Sequence, residues 1–199
     1  TKQSTAPPSS TLGEALREQA RLRPDQPALI FPQTGHHYSF SQWLNEASRI
    51  ACGLVELGAK PGNHIALLAQ NRIEWPVVEM AVALCGAVLV PLNTHFARDD
   101  LLFALRQSNS KMIFLSSEFR SHHYLDMLRE FRNELENLTH VINFDGPEAD
   151  CLSFSELEQT DLDFPTVRSN DTAGLLYTSG TTGFPKGALL SHSAMLFDS

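Results

Sequence analysis

The residues best suited to chemistry in this chain stand together at 177–187, which read YTSGTTGFPKG. Gly180 and Gly183 let the backbone take unusual dihedrals and bring its N–H groups close to a ligand with no side chain in the way. Thr178, Ser179, Thr181 and Thr182 add hydroxyl donors that can wrap phosphate oxygens. Lys186 brings a mobile positive charge, and Pro185 restricts the backbone just before it. Together they suit a phosphate chain. The spacing is not GxxxxGK[ST], because Gly187 follows Lys186 and no Ser or Thr is placed to hold magnesium. Nor is it GxGxxG, which disfavours the dinucleotide fold. The plain alternative is a Gly/Ser/Thr hairpin turn with one solvated lysine. The string follows one buried-strand pattern and precedes another, which favours the phosphate reading.

The balance of 15 Lys and Arg against 23 Asp and Glu, a formal net charge of −8, argues against nucleic acid or an anionic membrane as the main partner. Hydrophobic residues make up 42% of 199 positions, enough for a real core, yet no apolar run approaches the roughly 20 residues of a membrane helix. Cys52, Cys85 and Cys151 form no CxxC pair and read as reduced thiols of a cytoplasmic protein. Neighbours in the pairs His36–His37 and His122–His123 cannot share one face, and HExxH spacing is missing, so no metal site is expected. His192 follows the glycine string, and His95 and Phe96 follow a strand pattern where α/β ligands often bind. Trp43 and Trp75 sit at helical spacings and read as core.

Elements that could position these residues alternate along the chain. Residues 1–10, TKQSTAPPSS, read as a disordered leader with neither a signal-peptide core nor an initiator methionine. Thr11 with Glu14, and Ser39 with Gln42, are capping-box pairs that open helices. Between those helices PALIF and HHYSF resemble a β-hairpin. The second helix should stop at Gly58 and Pro61. Strands are expected at 64–69, 87–92, 111–115 and 140–144, with helices over 73–85, 99–107 and 118–132. Strands separated by helices of this length argue for an α/β fold with a largely parallel sheet flanked by helices. Residues 145–170 read as a surface connector with one short helix near 155–159, and 187–192 could pair back on a strand at 174–177.

The glycine string resembles the phosphate-loop signature of the adenylate-forming enzymes, the superfamily of acyl-CoA synthetases, luciferases and peptide-synthetase adenylation domains. Every position from 178 to 186 fits that signature, Phe184 included, and the preceding LLY fits too. The likeness runs back through Asp171, ALCGAVLVPLN at 83–93, LGAKPGNHIALLAQN at 57–71 and SFSQWL at 39–44, where Gln42 and Trp43 depart from the pattern. PLNTHFARDDLLFALRQSNSK is most similar to AMP-forming acyl-CoA synthetases of fatty or carbocyclic acids.

The resemblance implies the N-terminal part of a large adenylation domain, with 11–170 as its first α/β region and 171–199 as a strand–loop–strand opening the next subdomain. It implies ATP-dependent activation of a carboxylic acid to an acyl-adenylate and then to an acyl-CoA thioester. Lys186 would stabilise charge in catalysis, and Thr178, Ser179, Gly180, Thr181, Thr182, Gly183, Phe184, Pro185 and Lys186 would bind the nucleotide phosphates. ATP, Mg2+ and CoA are the implied cofactors. The magnesium, adenine and acyl-pocket residues are expected beyond residue 199, so the chain alone is not expected to complete the reaction. Two other readings stay open: an adenylation enzyme loading a carrier protein, and a non-catalytic truncated module. Edges left by the final strands are expected to invite self-association.

Overall fold

The computed structural model describes residues 10–32, 34–158, 162–178 and 186–197. The expected leader lies outside these residues except for Ser10. Both capping boxes form. The Thr11 hydroxyl accepts from Glu14 N at 3.2 Å and the Glu14 carboxylate accepts from Thr11 N at 3.2 Å, starting α1 (Leu12–Leu22). Ser39 and Gln42 repeat the exchange and start α2 (Phe40–Glu56). Between them β1 (Pro27–Phe31) and β2 (His36–Ser39) pair antiparallel as the expected hairpin.

Next come β3 (His64–Leu68), α3 (Glu74–Leu84), β4 (Val88–Pro91), α4 (Arg98–Ser108) and β5 (Met112–Leu115). Gly58 and Gly86, at φ 86° and 71°, and Asn109 at 51°, end α2, α3 and α4. At each, the following N–H bonds back to a carbonyl of the last turn: Ala59 to Leu54, Ala87 to Val82 and Ser110 to Leu105. Only a left-handed residue lets the chain turn back that tightly. The chain continues through β6 (Glu118–Phe119), β7 (His122–His123), α5 (Tyr124–Phe131), β8 (His140–Asn143) and β9 (Leu152–Ser153). It ends in β10 (Thr172–Thr178), β11 (Lys186–Ser191) and α6 (His192–Phe197).

Seven strands form one sheet in the order β11-β10-β4-β3-β5-β8-β9, parallel throughout except for the antiparallel β10–β11 pair. Strand parity divides the core. Ile65, Leu67, Leu89, Met112, Phe114 and Ile142 face α2 and α3. Ala66, Leu68, Val90, Ile113, Leu115 and Val141 face α4 and α5. Burial on both sides explains the unbroken apolar runs of these strands.

Two expectations need correction. The helix expected over 118–132 begins only at Tyr124, because 118–123 folds into the small β6–β7 hairpin, turned by Arg120 at φ 56°. Nor is 145–170 only a surface connector. Leu152 and Ser153 pair with β8 as the outermost strand, and Leu157 is buried against Gly53 of α2. A short 3-10 turn, Phe154–Glu156, joins them, slightly earlier than the helix expected there.

Candidate functional site

Because β10 runs parallel to β4, its end points to the sheet edge where the other parallel strands also end. There Thr178 pairs with Lys186 and Tyr177 with Gly187. The Thr178 hydroxyl donates to the Lys186 carbonyl at 3.3 Å, which closes the stem. Both residues are exposed, leaving the Lys186 ammonium in solvent. The other expected phosphate contacts, Ser179, Gly180, Thr181, Thr182, Gly183, Phe184 and Pro185, lie outside the described residues. On the inner side Leu175 and Tyr177 pack into the α4 layer, and the Tyr177 hydroxyl donates to the Ala104 carbonyl at 2.9 Å. Burial pushes this phenol above its ordinary pKa, with the Ser108 hydroxyl pulling the other way. Gly187 leaves room for that packing, since a Cβ there would stand 3.3 Å from Leu175 Cδ1.

The same sheet edge holds an open cleft of about 1130 Å³. It lies where the connections diverge: β3 sends α3 to one face, while its neighbours β4 and β5 send α4 and α5 to the other. Divergence of this kind opens a crevice at the carboxyl ends of parallel strands. Asn71, Arg72, Asn93, His95 and Asp145 line it, with Phe31 of the hairpin opposite. Arg72 organises the floor. Its guanidinium donates to Asp145 at 2.9 Å, to Ser116 at 3.1 Å and to Glu74 at 2.9 and 3.1 Å, and it lies 4.5 Å from the Phe144 ring centre. Burial pushes Glu74 up, but its bonds to Arg72, a backbone N–H and the Arg72 charge together hold the carboxyl below its ordinary pKa. Tyr124 fixes the wall by donating to the Thr94 carbonyl at 2.6 Å. The sequence places His95 at this edge correctly; it lines the cleft and is exposed, whereas Phe96 packs against the α4–α5 core.

Other candidates have structural roles. His192 is wholly buried, and its Nδ1 accepts from Leu12 N at 3.4 Å, tying α6 to the start of α1. Burial lowers its pKa against the opposing pull of Asp171 and Glu14. Trp43 and Trp75 pack against the core, and Trp43 Nε1 donates to the Pro76 carbonyl at 3.1 Å. None of the three cysteines is joined in a disulfide. Among the described residues no cluster of His, Cys, Asp or Glu could hold a metal, and no helix is long and apolar enough to cross a membrane. Sequence reasoning missed the Tyr177–Ala104 bond and the Arg72 network. A tyrosine at a core-facing strand position was the available sign of the first, because a buried phenol needs a partner. No local signal foretold the second, because Ser116 and Asp145 reach Arg72 from connections 44 and 73 residues away.

A family model described as AMP-binding enzyme matches residues 16–198. The mitochondrial medium-chain acyl-CoA ligase ACSF2 of Danio rerio is 30% identical over 207 residues, covering 92% of this chain and 34% of that protein. The 4-coumarate–CoA ligase 3 of Arabidopsis thaliana is 33% identical over 177 residues, covering 86% of this chain and 30% of that protein. The crystal structure of the anthranilate CoA ligase AuaEII in complex with anthranoyl-AMP superposes with a TM-score of 0.83 at 26% identity, over 96% of this chain and 36% of that one. The chain thus spans about a third of the length of these relatives.

Proposed function

The chain belongs to the AMP-binding enzyme family, and from that premise we propose that the whole protein uses ATP to activate a carboxylic acid, of fatty or carbocyclic type, for transfer to CoA. The acid's carboxylate oxygen would attack the α-phosphorus of ATP, the bond to the β-phosphate would break, and pyrophosphate would leave. The CoA thiolate would then attack the acyl carbonyl carbon and AMP would leave with its phosphate oxygen. The names of the medium-chain, 4-coumarate and anthranilate relatives support this acid class. Residues 171–199 would carry the phosphate contacts and open a further subdomain.

One observation carries the reading: the stem of β10 and β11 brings the ends of the TSGTTGFPK string together, with Thr178 and Lys186 side by side at the edge where the parallel strands end. From that stem the Lys186 ammonium would neutralise charge developing on the leaving pyrophosphate. Thr178, Ser179, Thr181 and Thr182 would donate to phosphate oxygens, while backbone N–H groups around Gly180 and Gly183 would approach closely. Phe184 and Pro185 would complete the contact surface. The donors suit ATP phosphates, whereas the described residues offer no carboxylate cluster for Mg2+. The charge supplied by Mg2+ would offset that of the phosphates when bound.

Acid-dependent exchange of pyrophosphate into ATP by the complete protein tests this reading. Lys186→Ala should slow that exchange about 10²–10³-fold, while thioester formation from supplied acyl-adenylate stays within a few-fold of normal. A complete protein showing no exchange with fatty, aromatic or alicyclic acids would overturn the activity. Unchanged exchange in Lys186→Ala would remove the lysine from it.

A further inference from the structure

The stem bearing Thr178 and Lys186 joins the sheet at Gly174, which pairs with Leu89 of β4, and the residues beyond Gly174 pair only with β11. At its base His192 N donates to Asp171 O at 3.1 Å and Ser193 N to Ser169 O at 2.9 Å. Near its tip, among the described residues, Tyr177 is the residue of β10 or β11 whose side chain hydrogen-bonds to another layer of the fold. Its acceptor is well fixed. Ala104 is wholly buried in the middle of α4, whose leading connection is pinned by Tyr124 and whose last residue meets His64 Nδ1 through Ser108 O at 2.5 Å.

Position 177 does not need a hydroxyl for packing. The equivalent inward positions of β3, β4, β5 and β8 carry Ala66, Leu68, Val90, Ile113, Leu115 and Val141, all without polar side-chain atoms. A hydroxyl placed there is costly to bury unless it is bonded. A directed bond, however, fixes the rotation and height of a strand end that apolar contacts leave free to slide. Tyr177 precedes Thr178 and stands opposite Gly187, the residue after Lys186. Both exposed phosphate candidates therefore emerge one residue from the pinned point.

We infer that Tyr177 is a positioning residue for phosphate recognition: its hydroxyl ties the end of β10 to α4 and so sets where Thr178 and Lys186 stand. This rests on the function proposed above. In the complete protein, Tyr177→Phe keeps the ring and removes only the hydroxyl. The Michaelis constant for ATP in acid-dependent exchange should rise about two- to tenfold, the range for one lost hydrogen bond. The constants for acid and CoA, and thioester formation from supplied acyl-adenylate, should not change. Leu175→Val, a packing change on the same inner face, should lower the melting temperature while leaving the ATP constant as in wild type.

An unchanged ATP constant in Tyr177→Phe would overturn the inference, as would equal rises in Leu175→Val and Tyr177→Phe. Proportional loss of every kinetic parameter would do so too. Wild-type protein without acid-dependent exchange would instead overturn the proposed function, so the two failures are separable.

Discussion

Replacing Gly53 by alanine sets two effects of known sign against each other. Gly53 lies in the buried part of α2, where alanine ordinarily gains about 0.8–1.0 kcal/mol of helix propensity. Here the added Cβ would stand 2.9 Å from Leu157 Cβ, 3.1 Å from its Cδ2 and 3.4 Å from its Cα. The first and last of these atoms cannot swing away by rotating the side chain. Retreat of the segment is opposed as well, because Arg49 donates to the Leu157 carbonyl and its guanidinium lies 5.4 Å from the Phe154 ring centre. Overpacking of this kind costs about 1–3 kcal/mol, so Gly53→Ala should be destabilising by about 1 kcal/mol net. The urea midpoint should fall with its slope unchanged, and the melting temperature should drop by about 2–4 °C. Gly13→Ala supplies the control. Its Cβ would meet Leu84 Cδ2 at 3.0 Å, the movable end of a side chain, so stability should stay within about 0.5 kcal/mol of wild type. A Gly53→Ala protein as stable as wild type would refute the packing of Leu157 on α2 and make 152–157 the loose connector that its sequence suggests.

Burial on α3 pushes the Glu79 carboxyl above its ordinary pKa. Its folded value therefore exceeds the unfolded one, so its contribution is fully present below the unfolded pKa and is lost as pH rises through the folded pKa. Glu79→Gln should be more stable than wild type in urea at pH 7, with the advantage vanishing below about pH 4; equal stability at pH 7 would contradict this. Cys85 is pushed up to about 11 by burial, and Cys151 to about 11 by burial and the neighbouring Asp150 charge. At pH 8 only about a thousandth of each is thiolate, so a thiol reagent should label the native protein slowly and all three cysteines rapidly in urea; fast native labelling of Cys85 would contradict its burial.

What could be read along the chain was whatever a local rule governs. The two capping boxes, the β1–β2 hairpin, the left-handed Gly58 stop and the return of β11 on β10 each depend on residues close in sequence. The parallel strands were readable because burial on two faces demands long apolar runs. β9 was not, since a two-residue strand has no period to detect. The β6–β7 hairpin was hidden because residues 118–123 continue into a helical pattern, and only the turn at Arg120 separates them.

The sequence by itself determined the alternation of strand and helix, the acidic surface and the Thr178–Lys186 string that resembles a phosphate loop. Its glycines and hydroxyls have a chemistry that does not depend on distant neighbours. The tertiary structure decided which carbonyl receives Tyr177 and which groups share the cleft. Ala104 lies 73 residues from Tyr177, and Arg72 meets Ser116 and Asp145 across 44 and 73 residues. Such bonds arise from the order in which strands cross within the sheet, and no short stretch of sequence carries that order.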